Sequence, residues 1–174
     1  MNRSLSFLFL NLAMTIFGFS QSKDEYLIKV FKGEYDEVGV ESGYMNSKGD
    51  TVIPIGKYYY CYTDTLKSFA IVLKNKGPFV GIDRNGNELF EVYPFDNGPD
   101  NVVEGFFRIM KNGKIGYADT NGKIVIDPQF DCAFPFENGK AKVSNDCKDV
   151  LEGEYSKWIS KNWKYINKNG ETIK

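Results

Sequence analysis

The stretch Ile115-Gly116-Tyr117-Ala118-Asp119-Thr120-Asn121-Gly122-Lys123-Ile124-Val125-Ile126 decides the fold of this chain. Asn121-Gly122 separates two segments of β-prone residues, and Asn-Gly in that setting is the strongest short-range signal for a β-hairpin. Tight hairpin turns need positive φ angles, which glycine and asparagine adopt at little cost. Pro128 lacks a backbone N–H, so strand pairing is expected to end soon after it.

Two registers are compatible with this hairpin. If Asn121-Gly122 is a two-residue loop, Tyr117 faces Ile126; if residues 120–122 form a three-residue loop, Tyr117 faces Val125. A slip of one residue exchanges the buried and exposed faces of a strand, so the register decides which side chains reach the core.

Weaker copies of the hairpin occur along the chain and align on a turn glycine. These glycines recur at intervals of 37, 36 and 48 residues and are Gly49, Gly86, Gly122 and Gly170. An Asp or Asn opens each turn, where its side chain can accept a hydrogen bond from the backbone two residues on. The four opening residues are Asn46, Asp83, Asp119 and Asn167. A period of about 20–50 residues indicates a repeat architecture.

A short strand-like segment follows each of the first three hairpins, at residues 69–72, 106–110 and 141–143. Each unit therefore reads as a three-stranded antiparallel meander, and the chain as an all-β protein of about three and a half units. The unit bounds are 42–78, 79–114, 115–162 and a half unit 163–174, with residues 26–40 supplying a leading strand. Both an open array and a closed barrel-like sheet satisfy this pattern.

The repeat resembles the bacterial WG repeat family, also called KWG repeats. The best copy runs from Ile115 to Val143 and contains Gly116-Tyr117, Asp119, Asn121-Gly122-Lys123, Val125-Ile126, Pro128, Phe130-Asp131, Phe136, Gly139, Ala141 and Val143. The resemblance covers about residues 42–174 and implies tandem β units with little defined chemistry. It departs at the Trp-Gly dipeptide that names the family, because Trp163 is followed by Lys164 and other residues hold the tryptophan position elsewhere.

Residues 1–20 have the pattern of a secretory signal peptide. Arg3 precedes an apolar segment from Leu5 to Phe19, with small residues before Gln21. That segment is short for a membrane-spanning helix, which needs about 20 apolar residues. We therefore expect signal cleavage, a secreted or periplasmic location, no stable membrane span afterwards and one domain over residues 21–174. An uncleaved anchor is the alternative.

Composition narrows the possible chemistry. The chain has no histidine, which removes the usual near-neutral general base and histidine-assisted nucleophiles. Its 22 basic and 23 acidic residues give a net charge of −1 without a basic cluster, which argues against nucleic-acid binding. The Asp83 and Asp119 turns lack the spacing of a calcium loop. The sequence therefore predicts no catalytic residue, no metal site and no cofactor.

The cysteines favour one disulfide. Cys132 and Cys147 lie almost symmetrically about Asn138-Gly139, so a hairpin at that turn would bring them to facing strands. Exported proteins favour disulfides, and we expect a Cys132–Cys147 bridge with Cys61 left free. Two buried thiols are the alternative.

Two aromatic-rich segments are candidate binding surfaces. Residues 58–62 contain four tyrosines, which cannot all face one core because strand side chains alternate. The long third interval contains an insertion, about residues 144–161, and repeat proteins often carry insertions on their binding face. The candidate residues are Tyr58, Tyr60, Tyr62, Tyr155 and Trp158. The alternatives are cross-strand packing for the first segment and a charged excursion with a helical turn near Val150-Leu151 for the second. The turn-rich segment 93–101 reads as a solvated loop.

These observations favour an exported, non-catalytic binding or interaction module with an unidentified protein or glycan partner. Two other classes are compatible with the sequence: a small glycan-directed hydrolase with paired carboxylates, and a structural repeat protein without a ligand.

Overall fold

The computed structural model describes residues 26–153 and 155–173, so the predicted signal peptide lies outside the described residues. Within these two ranges every regular element is a β-strand and every pairing is antiparallel. The all-β prediction is therefore confirmed. In chain order the strands are β1 Leu27–Phe31, β2 Ser42–Met45, β3 Thr51–Tyr58, β4 Tyr60–Cys61, β5 Thr65–Leu66, β6 Ala70–Leu73, β7 Phe79–Ile82, β8 Glu88–Val92, β9 Pro94–Phe95, β10 Gly98–Pro99, β11 Phe106–Lys111, β12 Lys114–Asp119, β13 Ile124–Phe130, β14 Cys132–Ala133, β15 Lys140–Ser144, β16 Lys148–Glu152, β17 Tyr155–Ile159, β18 Lys164–Asn167 and β19 Thr172–Ile173.

The strands form three larger sheets that are not closed. Their orders are β3-β2-β1-β5, then β13-β12-β11-β8-β7-β6-β4, then β14-β15-β18-β19. The third strand of one unit pairs with the first strand of the next, as β6 with β7 and β11 with β12. The meander prediction is confirmed, and the structure is the open array. The predicted leading strand also exists, since β1 pairs with β2.

The insertion leaves this pattern intact. β15 pairs directly with β18, and the chain between them folds out as a separate hairpin of β16 and β17. We call this element, residues 148–159, the insertion hairpin. The extra length of the third repeat is thus outside the repeated sheet.

The turn chemistry predicted from the sequence is confirmed. The Asp119 carboxylate accepts hydrogen bonds from the backbone N–H of Asn121 at 2.9 Å and of Lys123 at 3.0 Å. The other three opening residues accept the same two bonds at 2.8 to 3.0 Å. Each turn therefore contains internal hydrogen bonds that its own sequence supplies.

The central hairpin has the three-residue loop of one expected register and the Tyr117–Ile126 pair of the other. Ala118 pairs with Ile124 across a three-residue loop, and Tyr117 then pairs with Ile126 because Val125 is an extra, bulged residue. Pairing also continues past Pro128, as a second irregularity brings Ile115 opposite Phe130. The bulge at Val125 explains why Tyr117 faces Ile126, the partner expected for a two-residue loop, although the loop has three residues.

The glycine after the tryptophan position has a steric reason. A Cβ on Gly116 would lie 2.4 Å from the carbonyl oxygen of Ile126 and 2.5 Å from the Pro128 nitrogen. Gly43 meets the same obstruction from the backbone of residues 53–55. In the second unit this position is Val80, which pairs in regular register with Glu91. Glycine is thus needed where the second strand of a hairpin bulges across the first.

These irregular strands connect the sheets. β3 belongs to the first sheet and its continuation β4 to the second; β13 belongs to the second sheet and its continuation β14 to the third. The core accordingly consists of three clusters of buried side chains, one of them around Tyr44 and one around Tyr117. The hydroxyl of Tyr44 donates to the Thr63 carbonyl at 2.6 Å, and that of Tyr117 to the Phe134 carbonyl at 2.7 Å. Burial raises the pKa of both phenols well above the usual value.

Candidate functional site: an aromatic cleft beside the insertion hairpin

The tyrosines of the first unit do not form the predicted surface. Tyr58 is 3% and Tyr60 8% exposed, and the Tyr58 hydroxyl donates to the Gly86 carbonyl at 3.1 Å. Tyr62 is half-buried, with its ring centroid 4.9 Å from that of Tyr60. The prediction of a binding surface at Tyr58 and Tyr60 was wrong, because the strand passes from one sheet to the next here and keeps this face in the core. Tyr59, at the junction, is 43% exposed.

The insertion is a hairpin, and the expected helical turn near Val150-Leu151 was wrong. Asp149 pairs with Trp158, and Glu152 pairs with Tyr155 at the turn end. Residues three apart on a strand point to opposite faces, so Tyr155 and Trp158 do not share a surface. Tyr155 is 79% exposed, whereas Trp158 is half-buried against the core cluster around Tyr117.

A disulfide lies at the base of the insertion hairpin. Cys132 is on β14 and Cys147 just beyond β15, with their Cα atoms 5.8 Å apart. Cys132 pairs across the sheet with Ser144, so the two cysteines are not directly opposite as their symmetry about Asn138-Gly139 suggested. Cys61 is a free thiol in the core, where burial raises its pKa.

Asp146 joins the two ends of the insertion. Its carboxylate accepts hydrogen bonds from the hydroxyls of Ser160 and, at 2.7 Å, Ser144, and from the Asn162 amide at 2.5 Å. These donors, Ser160 foremost, hold the pKa of Asp146 below its usual value. Together with the disulfide, this cluster fixes where the insertion hairpin leaves the sheet.

The inner face of the insertion hairpin closes one side of a cleft of about 620 Å³, which we call the aromatic cleft. Its aromatic side chains are Tyr93, Phe95, Phe134, Trp158 and Trp163. The Trp158 ring lies 5.2 Å from Phe134 and 6.1 Å from Tyr93, both in edge-to-face contact. The Phe134 and Trp163 rings are 5.5 Å apart. Such contacts hold planar side chains in fixed orientations around the opening.

A buried ion pair supports the cleft from below. Arg108 binds Asp100 through Nη2–Oδ1 at 2.5 Å and Nε–Oδ2 at 2.9 Å, and donates to the Ala133 carbonyl at 3.3 Å. Its guanidinium carbon lies 4.1 Å from the centre of the Tyr93 ring. Both charged side chains are almost wholly buried. Arg108 is therefore neutralised by Asp100 and positions the Tyr93 wall.

Lys142 differs from Arg108 and Lys157, the other two cations that line the cleft. Its Nζ lies 4.8 Å from the Trp163 ring and 5.9 Å from the Phe134 ring, and the side chain is half-buried. Across residues 26–153 and 155–173, Lys142 takes part in no ion pair. The remaining polar lining consists of Asp96, Asp149, Ser156 and Lys157.

Most of this site was missed by sequence reasoning. Trp158 was a candidate, but Tyr93 and Phe95 belong to a segment expected to be a solvated loop, where β9 and β10 in fact form a small ladder. The aromatic spacing Tyr93-Pro94-Phe95 and the tryptophan at position 163 were the available signals. They did not indicate a site because the residues come from separate repeats.

The described part of the chain adds two further findings. It contains no group of three or more His, Cys, Asp or Glu side chains able to hold a metal ion. Nor does it contain a helix long and apolar enough to cross a membrane.

Comparison with known proteins finds a family match in two parts of the chain. Residues 43–77 and 115–148 match the family model described as WG containing repeat. No curated protein and no solved structure matches the chain. The two matched segments contain the hairpins with Gly43 and Gly116, whereas the aromatic cleft takes Tyr93, Trp158 and other residues from outside the matched ranges.

Proposed function

We propose that this WG repeat protein is a non-catalytic binding module that acts outside the cytoplasm and holds its ligand in the aromatic cleft. The observation that carries the proposal is the convergence of five aromatic side chains around one cleft, closed on one side by an inserted hairpin. The repeats supply the scaffold, and the insertion supplies a wall that the repeat pattern lacks.

The aromatic cleft has the composition of a recognition surface. Tryptophan, tyrosine and arginine dominate the binding energy of protein interfaces, because each offers a large flat contact area. Phe95 and Phe134 remain 50% and 39% exposed, so their apolar surface is available to a ligand. Covering such surface yields roughly 25 cal/mol per Å².

Two features support the absence of catalysis. The chain has no histidine to act as a general base near neutral pH. The buried carboxylate beside the cleft, Asp100, accepts three hydrogen bonds from Arg108, including one from its backbone N–H at 2.7 Å, and is thereby occupied.

The location outside the cytoplasm is supported by residues 1–20 and by the disulfide. Disulfides persist in oxidising compartments and are rare in the cytosol. The bridge between Cys132 and Cys147 therefore fits an exported protein. Appearance of the chain in the medium or periplasm, and its loss when Arg3 and the apolar segment are deleted, would test this part.

The binding proposal is tested with the exported protein, a panel of soluble polysaccharides and an extract of envelope proteins. We expect saturable binding without consumption of the ligand. Trp158→Ala should weaken binding by more than about tenfold, since loss of a central aromatic anchor typically costs at least about 2 kcal/mol. Tyr59→Ala is the matched control, because Tyr59 is exposed but lies outside the cleft.

Two amide variants separate binding from hydrolysis. Asp96 and Asp149 are the carboxylates that line the cleft. A glycan that is cleaved by the wild type but not by Asp96→Asn or Asp149→Asn would establish a hydrolase and overturn the proposal. If Trp158→Ala binds the ligand as tightly as the wild type, the ligand is not held in the aromatic cleft and that part of the proposal is wrong.

A further inference from the structure

We infer that the aromatic cleft binds an acidic polysaccharide in which carboxylated sugars alternate with neutral ones, with one carboxylate paired to Lys142. This inference rests on the proposed binding function and specifies its ligand. The juxtaposition that carries it is the half-buried Lys142, which has no ion-pair partner among the described residues and whose Nζ lies near the exposed Phe134 ring and the half-buried Trp163 ring.

Among the three cations that line the cleft, Lys142 is the one without an ion pair to a described residue, since Lys157 lies 3.7 Å from Glu152 and Arg108 binds Asp100. Elsewhere in the described chain, the buried Lys29 pairs with Asp64 at 2.9 Å, Lys114 with Asp131 at 2.5 Å and Lys168 with Glu104 at 3.0 Å. Arg108, which also lines the cleft, is neutralised by Asp100. Lys142 is thus a cleft lysine without an ion-pair partner among the described residues, at a place where a ligand would displace water from it.

The surroundings of Lys142 favour a carboxylate as the missing partner. Partial burial lowers the local dielectric, so an ion pair formed there is stronger than one on the open surface. The Trp163 and Phe134 rings stabilise the ammonium group by cation–π contact but satisfy none of its N–H donors. A ligand carboxylate would accept those hydrogen bonds while the rings bury the rest of the ligand.

The other cleft residues favour a sugar chain over other acidic polymers. Pyranose rings have apolar faces suited to flat aromatic side chains and hydroxyl groups suited to Asp96, Asp149 and Ser156. A continuous run of anions, as in a nucleic acid or a polyacidic peptide, would meet the two aspartates as well as Lys142. A polymer with one carboxylate among neutral hydroxylated rings avoids that repulsion.

The chain contains a matched control for Lys142. Lys140 lies two residues earlier on β15 and therefore on the same face, with its Nζ 4.9 Å from the Tyr165 ring. It lines a neighbouring hollow of about 470 Å³ and does not line the aromatic cleft. Substitution of either lysine by glutamine removes the same charge from the same strand.

The experiment measures calorimetric binding of a hexasaccharide of alternating glucuronic acid and N-acetylglucosamine, and of its carboxyl-reduced counterpart. We expect the exported wild type to bind the acidic form about tenfold more tightly, the usual size of a charge-assisted hydrogen bond. Lys142→Gln should bind both forms equally, at the affinity of the wild type for the reduced form. Lys140→Gln should keep the preference. Near-ultraviolet circular dichroism of each variant reports whether the aromatic walls are retained.

The outcomes separate this inference from the proposed function. Equal binding of both hexasaccharides by the wild type, abolished by Trp158→Ala, overturns the requirement for a carboxylate but leaves cleft binding standing. Capture of an envelope protein through Trp158, with neither hexasaccharide bound, overturns the glycan ligand alone. If no probe shows binding that is lost in Trp158→Ala, both the acidic-polysaccharide inference and the proposed binding function of the cleft are overturned.

Discussion

Substitution of Gly116 by alanine tests the reasoning about the repeated fold most directly. The added Cβ would lie 2.4 Å from the Ile126 carbonyl oxygen, 2.5 Å from the Pro128 nitrogen and 2.8 Å from the Asp127 carbonyl carbon. Contacts below 3.0 Å require one partner to move, and all three obstacles are backbone atoms of the bulged strand β13. The bulge would have to open, which disturbs the neighbouring partners Tyr117 and Ile126.

The expected cost follows from that geometry. Overpacking a well-packed site typically costs about 1–3 kcal/mol, and we expect about 3 kcal/mol because backbone must shift. For a chain of this size, that loss lowers Tm by roughly 6–12 °C. Urea unfolding, followed by the fluorescence of Trp158 and Trp163, measures the loss as a lower midpoint at an unchanged slope.

Two variants provide the controls for Gly116→Ala. A Cβ on Gly98 meets no atom within 4 Å, so Gly98→Ala should change the free energy of unfolding by less than about 0.5 kcal/mol. Lys164 occupies the same repeat position in the last half unit, where the described pairs Tyr165–Ile173 and Ile166–Thr172 are in regular register. Lys164→Gly should therefore not increase the free energy of unfolding. A Gly116→Ala protein as stable as the wild type would refute the steric account of this glycine.

Three further predictions concern the insertion and the core. Reduction of the Cys132–Cys147 bridge, which closes a separation of 15 residues, should lower the free energy of unfolding by about 3 kcal/mol, measured by urea unfolding with and without reductant. Tyr44 and Tyr117 have pKa values raised by burial, so their contribution is complete below the usual phenol pKa of about 10 and is lost as pH rises above it. In a spectrophotometric titration at 295 nm, these two phenols should ionise only together with alkaline unfolding; smooth ionisation of all tyrosines in the folded state would contradict their burial. Tyr155→Ala should leave ligand affinity within about twofold of wild type, because Tyr155 is on the outer face of the insertion hairpin, and a larger loss in a binding titration would place the ligand on that face instead.

The sequence by itself determined the local elements. Each hairpin turn contains its own hydrogen-bond acceptor and its own glycine, as Asp119 and Gly122 illustrate, and the bonds to that acceptor come from residues within four positions. The period of these turns was sufficient to predict tandem antiparallel units, and the third strands appear where the apolar segments indicated them. Local chemistry thus accounts for the all-β class, the repeat and the meander.

Only the tertiary structure decided which residues line the aromatic cleft. Alternation holds across Tyr58, Tyr59 and Tyr60, but it does not say which side of the strand is buried, and the structure buries Tyr58 and Tyr60 while Tyr59 stays 43% exposed. The aromatic cleft joins residues 93–95 to residues 134–163. Its existence depends on how far the insertion hairpin folds back over the sheet, which is set by packing between units and by the links at its base. Contacts between segments so far apart in the sequence produce no periodic pattern of residues. The local pattern of each segment is explained without the other segment.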